Sequence, residues 1–163
     1  MARGKVQVIY GNGKGKTSAA LGYAIQEACH HGSVVVIEFL KKKDTEEIVY
    51  LERLEPEIRV FRFQKSQKYY SELSQPEQLE EQRNMINGLS YVHKVFQTAE
   101  CSRLILDEVL GLADEGIVTE EDLVGLLEQR PDDMDIILTG RVLGACLHDY
   151  ADDIFEIRTE KLS

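Results

Sequence analysis

Three kinds of residue meet in KVQVIYGNGKGKTS, residues 5–18: glycines, lysines and hydroxyls. Gly11, Gly13 and Gly15 let the backbone turn tightly and aim its N–H groups inward. Lys14 and Lys16 bring positive charge, and Thr17 and Ser18 bring hydroxyl oxygens. A helix opening near Lys16 adds the positive end of its dipole. Together these groups bind phosphate, with Lys16 as a point charge and Thr17 placed to ligate Mg²⁺. The preceding run of Val6, Val8, Ile9 and Tyr10 is β-prone. The order is therefore strand, glycine turn, Gly-Lys-Thr, helix, which separates a phosphate loop from a chance glycine-rich turn. The G-x-x-x-x-G-K-[ST] pattern wants glycine at position 10, where Tyr10 stands. The loop is thus one residue short, and it carries a second lysine, Lys14.

Leu104-Ile105-Leu106-Asp107-Glu108 is an apolar run ending in paired acids, which a nucleotide site needs opposite its phosphate loop. One acid orients Mg²⁺ or its water; the other ligates the metal or acts on a nucleophile. Ile136-Ile137-Leu138-Thr139 ends in Gly140-Arg141. An arginine just past a strand tip binds phosphate or stabilises departing charge, or else makes a surface ion pair, and spacing leaves both open. Glu38 interrupts the apolar run 34–40 near its end and faces either a ligand crevice or solvent. Lys41-Lys42-Lys43 reads as a solvated turn, or as added phosphate attraction at the mouth of a site.

The elements that must position these groups alternate between two periodicities. Strands are expected at 34–40, 58–63, 104–108, 136–139 and 154–158, and helices at 16–30, 45–54, 74–99, 119–130 and 143–150. In the first helix, Ala20, Leu21, Ala24, Ile25 and Ala28 share a face. Gly32 is its expected stop, with His30 and His31 in the last turn favouring the dipole. Ser74-Gln75-Pro76-Glu77 is a strong helix start. Leu79, Met85, Ile86, Leu89, Val92, Val95 and Phe96 form the core stripe of that helix. Residues 64–72 are polar and unpatterned, as in a mobile loop. Alternating strands and helices predict an α/β fold with a mostly parallel sheet and helices on both faces. A chain of 163 residues fits one domain, 1–163.

Composition narrows the partners. A net charge of −10 argues against nucleic acid, which basic patches bind. Cys29, Cys101 and Cys146 are widely spaced with no C-x-x-C, so neither a disulfide framework nor a zinc site is expected. Reduced, mostly buried thiols suit a cytoplasmic protein. The start of the chain has no apolar signal region, and no stretch is long enough to cross a bilayer.

With these pieces in order, the chain resembles the P-loop class of corrinoid adenosyltransferases. The likeness rests on Gly11-Asn12-Gly13-Lys14-Gly15-Lys16-Thr17-Ser18-Ala19-Ala20 with its one-residue shortening. It continues in Glu38-Phe39-Leu40-Lys41, Leu106-Asp107-Glu108, residues 116–127, Arg130-Pro131, Thr139-Gly140-Arg141 and Ala151-Asp152. It implies a RecA-like P-loop fold with an all-parallel sheet of about six strands. It also implies that ATP and a corrinoid reduced to Co(I) are the substrates. Mg²⁺ or Mn²⁺ is the implied cofactor, the implied assembly is a homodimer, and an electron-donor protein would reduce the corrinoid. Cobalt attacks the 5′ carbon of ATP and inorganic triphosphate leaves.

The resemblance places Gly11, Asn12, Gly13, Lys14, Gly15, Lys16, Thr17, Ser18 and Arg141 at the nucleotide. Lys14, Lys16, Glu108 and Arg141 become catalytic groups, and Thr17, Asp107 and Glu108 lie on the metal side. Other expectations for the same loop are a different ATPase or small kinase, or a non-catalytic nucleotide- or corrinoid-binding protein. The chain departs from the family pattern at Ser18 (usually threonine), at Glu38 (usually glutamine), and in having no tryptophan. Where the family carries an aromatic segment stands 64–70, whose aromatic pair is Tyr69-Tyr70. These two either join the corrinoid face or anchor the loop on the sheet.

Overall fold

The computed structural model describes residues 2–40 and 46–163, so Lys41-Lys42-Lys43 and the expected helix start at Thr45 lie outside the described residues. Strands β1 (Val6–Tyr10), β2 (Val34–Glu38), β3 (Ile58–Arg62), β4 (Arg103–Asp107), β5 (Asp135–Gly140) and β6 (Asp153–Glu156) form one sheet in the order β3-β2-β4-β5-β1-β6. Every pairing is parallel, for example Val8↔Leu138, Val36↔Ile105 and Ile105↔Ile137. Helices α1 (Lys16–Cys29), α2 (Glu46–Leu51), α3 (Gln75–Thr98), α4 (Leu110–Asp114), α5 (Glu120–Leu127) and α6 (Ala145–Tyr150) connect the strands.

The chain moves from β1 to β2 in one direction along the sheet and from β3 to β4 in the other. Right-handed crossovers therefore place α1 and α3 on opposite faces. The apolar runs match this, because strands covered on both faces need no alternation. One face buries Ile9, Val34, Val36, Ile105 and Ile137 against Ala20, Leu21 and Ala24 of α1. The other buries Val8, Val35, Ile37, Leu104, Leu106 and Leu138 against Met85, Val92, Val95 and Phe96 of α3 and against α4, α5 and α6. Each fully buried aliphatic side chain contributes about 1.5–3 kcal/mol of transfer free energy. Among the described residues no helix is long and apolar enough to cross a membrane.

Several expectations change. The α1 helix stops at Cys29, and the left-handed residue behind it is His31 (φ 64°), not Gly32. Gly32 matters for space: a Cβ there would meet the Glu27 carboxylate and Ser102 Oγ at 2.5 and 2.7 Å. Ile25, Leu79 and Ile86 are exposed, because their helices touch the sheet over a narrower arc than the apolar stripe suggested. Of the thiols only Cys101 is buried; Cys29 is exposed and Cys146 lies between.

Stretch 64–72 is not an unorganised loop. The buried Glu81 carboxylate of α3 accepts from the Lys65 and Ser66 amides (3.1 and 2.9 Å). Gln64 Nε2 donates to the Ser66 and Lys68 carbonyls (3.2 and 3.1 Å), and a 3₁₀ turn, Tyr70–Glu72, closes the segment. Its organising acceptor lies inside the helix that follows, 16 residues from Lys65 and 15 from Ser66, so the residues of the segment carried no sign of it.

Candidate functional site

Strand β5 lies between β1 and β4, so the loop after β1 and the acids after β4 flank the tip of β5. This is the carboxyl edge of the sheet at the point where the chain reverses direction, the usual place for a ligand crevice. Tyr10 is the last residue of β1, paired with Gly140 and Glu156, and its hydroxyl donates to Glu156 Oε2 at 3.2 Å. The tyrosine at position 10 is therefore strand, and the turn begins one residue late. Its hydroxyl is pushed above its ordinary pKa, first by desolvation and then by the Glu156 carboxylate.

Of the loop's glycines, Gly11 and Gly13 have little spare room, whereas Gly15 is required by its backbone angle. Gly11 has φ 126°, and a Cβ there would run into the Ile157 carbonyl oxygen. That carbonyl accepts from the Gly13 amide at 3.0 Å, so the segment after β6 braces the short loop from outside. Gly15, at φ 105°, is the residue from which α1 starts, and the Ala19 amide donates to its carbonyl at 2.8 Å. Lys16 Nζ donates to the Gly13 carbonyl at 3.0 Å, folded back over the turn. Asn12, Lys14 and Ser18 are exposed around it.

The structure brings Thr17 to the acids. Its hydroxyl donates to Asp107, 3.2 Å from Oδ1 and 3.1 Å from Oδ2. Asp107 is 1% exposed. Thr139 at the tip of β5 donates to Asp107 Oδ1 at 2.6 Å, and its oxygen accepts from the Glu108 amide at 2.9 Å. Glu108 sits at φ 61°, a left-handed conformation costing a non-glycine residue about 1–2 kcal/mol. Leu40, just past β2, has φ 47°, so two neighbouring strand tips at this edge each carry a left-handed residue.

Glu38 is buried and stands in register with Asp107 on one side and Arg62 on the other, so it lies at the crevice edge of the sheet and not in solvent. Arg141 is exposed just beyond β5. Tyr69 and Tyr70 are separated. Tyr70 is buried and its hydroxyl accepts from Gln82 Nε2 at 2.6 Å, an anchor for the loop, whereas Tyr69 is exposed. Sequence reasoning did not assign a role to Thr139, although a hydroxyl closing the apolar run 136–138 was the available signal. The brace from Ile157 left no local sign.

A hydroxyl and a carboxylate in contact behind a glycine turn form an all-oxygen donor set, which suits a hard divalent cation carrying phosphate. The family described as ATP:corrinoid adenosyltransferase BtuR/CobO/CobP matches residues 2–163. The chain is 26% identical over 159 residues to the corrinoid adenosyltransferase of Escherichia coli strain K12, covering 98% of this chain and 79% of that protein. It is 28% identical over 159 residues to the corrinoid adenosyltransferase CobA of Salmonella typhimurium, with the same coverage. Among solved structures, a KaiC-like protein of Pyrococcus horikoshii superposes with a TM-score of 0.60 at 18% identity, covering 99% of this chain and 76% of that one. That likeness speaks for the fold, a RecA-like P-loop architecture.

Proposed function

Because the chain belongs to the ATP:corrinoid adenosyltransferase family, we propose that residues 1–163 form a single nucleotide-binding domain that moves the 5′-deoxyadenosyl group of ATP onto the Co(I) of a reduced corrinoid. The cobalt electron pair forms the Co–C bond, and the bond from C5′ to its oxygen breaks. That pair of electrons leaves on triphosphate, and cobalt goes from Co(I) to Co(III). Co(I) is itself a strong nucleophile, so no protein base is needed. The protein aligns the two reactants and spreads the charge growing on the leaving group.

The loop Gly11-Asn12-Gly13-Lys14-Gly15, with Ser18 beside it, cradles the triphosphate, the Gly11 and Gly13 amides holding the turn in shape through the Gly140 and Ile157 carbonyls. Lys14 and Lys16 supply positive charge, and Arg141, just past the tip of β5, meets the nucleotide. Thr17, Asp107 and Glu108 hold Mg²⁺ or Mn²⁺, which supplies charge neutralisation on the phosphates. The contact between Thr17 and Asp107 is the observation that carries this reading, because it joins the phosphate loop to the acid tip of β4. Exposed Tyr69 joins a corrinoid face, and buried Tyr70 anchors the loop that carries it. A homodimer, an electron-donor protein and a cytoplasmic setting complete the proposal.

Anaerobic incubation with ATP and chemically reduced corrinoid tests it. Adenosylated corrinoid and inorganic triphosphate are expected. ADP and phosphate would point to an ATPase or kinase, and binding without turnover would point to a carrier.

A further inference from the structure

Thr139 is 0% exposed and closes the apolar run Ile136-Ile137-Leu138 on the face that carries Asp107. A buried hydroxyl is costly unless hydrogen-bonded. Among the described residues its hydrogen bonds go to two neighbours in sequence on another strand, the Asp107 carboxylate and the Glu108 amide. The proton direction follows from the groups. An amide N–H only donates, so the Thr139 lone pair receives Glu108 and its single proton goes to Asp107.

Asp107 Oδ1 therefore meets two hydroxyls, Thr139 at 2.6 Å and Thr17 at 3.2 Å, while Oδ2 meets Thr17 at 3.1 Å. Glu108 is held through its amide at φ 61°, a conformation that persists only where its surroundings hold it. Its carboxylate also lies over Gly111, where a Cβ would stand 4.0 Å from Oε2 and 3.0 Å from Leu40 Cδ1. A shift of the Glu108 backbone moves that carboxylate with it.

We propose that Thr139 is a positioning residue that sets the rotation of the Asp107 carboxylate and the backbone of Glu108, so that metal-bound ATP finds both acids in place. This rests on the nucleotide–metal reading of the site and adds a residue outside the phosphate loop and the acid pair. Thr139→Val keeps the shape and removes the hydroxyl, whereas Thr139→Ser keeps the hydroxyl.

The test is calorimetric titration of ATP into the full chain, with and without Mg²⁺, backed by thermal melts. In Thr139→Val the metal-free affinity stays within about twofold of the parent. The gain on adding Mg²⁺ falls about tenfold or more, the usual scale for groups that orient metal ligands. Thr139→Ser restores that gain. A parent-like Mg²⁺ gain in Thr139→Val overturns the proposal, and so does a Thr139→Ser variant as impaired as the valine. If the valine variant does not fold, Thr139→Ser and deuterium exchange of the parent's Glu108 amide decide. Slow exchange and a parent-like serine variant support the assignment; exchange at the rate of an open loop overturns it. A parent that gains no ATP affinity with Mg²⁺ overturns this proposal and the metal reading together. A parent that gains affinity but makes ADP overturns adenosyl transfer alone.

Discussion

Lys16 donates to a neutral carbonyl of its own loop, the weaker of the two acceptors proposed for it. A phosphate oxygen is a charged acceptor and makes a bond roughly twice as strong. The ammonium is thus held close to where phosphate would arrive, and exchanging acceptors needs only a small swing. Lys16→Ala is expected to weaken ATP binding by about 1.5–3 kcal/mol, roughly 10- to 150-fold. Thr17→Val is expected to lose affinity chiefly when Mg²⁺ is present, because its hydroxyl faces the acid and not the loop amides. Titrating both variants with and without metal checks the pair. An unchanged affinity in Lys16→Ala would remove the loop from the site.

Among the elements, α3 has the clearest start. Ser74 Oγ accepts from the Glu77 amide and Glu77 Oε2 accepts from the Ser74 amide at 2.9 Å, a reciprocal cap. Ser74→Ala should cost about 1 kcal/mol, seen as a lower urea midpoint. The cap also titrates. The Ser74 amide holds the Glu77 carboxyl below its ordinary value of 4.5. A folded pKa below the unfolded one gives stability that is full above the unfolded value and is lost as pH falls through the folded value. Glu77→Gln is therefore expected to flatten the stability loss below pH 4.5 while leaving the shape of the curve near neutrality unchanged. An acid limb identical to the parent's would show that other carboxylates govern it. α5 begins with the same device, Thr119 and Asp122, and there too the backbone amide holds the acid low.

For the whole molecule, the sheet is both core and chassis. Ile105 is 0% exposed at the centre of β4, two residues below Asp107 and on the same face. It packs with Ile137, Val36 and Ala24, so truncation leaves a cavity lined by rigid strands that collapse poorly. Ile105→Ala should cost about 2–5 kcal/mol, read as a shifted urea midpoint at unchanged slope. A cost below about 1 kcal/mol would mean that the α1 face relaxes more freely than its packing indicates. Gly140 couples the sheet to the site in another way. A Cβ there would collide with Leu110, so the strand tip beside the phosphate loop is pressed against α4.

The alternation of strands and helices, the phosphate loop, the acid-tipped strand and the cap of α3 were all legible in the chain of residues. Each of these is written in neighbouring residues, through propensity, glycine spacing or a reciprocal side-chain bond. Even the missing glycine at Tyr10 was visible, although only pairing with Gly140 and Glu156 shows that Tyr10 belongs to the strand. The tertiary structure alone decided what meets across the chain. It placed β5 between the loop strand and the acid strand, set Thr139 against Asp107 and Glu108, and brought Ile157 behind Gly13. It also separated Tyr70 from Tyr69 and left Leu79 and Ile86 outside the core. Those outcomes depend on strand order and on the arc over which each helix touches the sheet. Both are global results of packing two apolar faces at once, and no local run of residues encodes them.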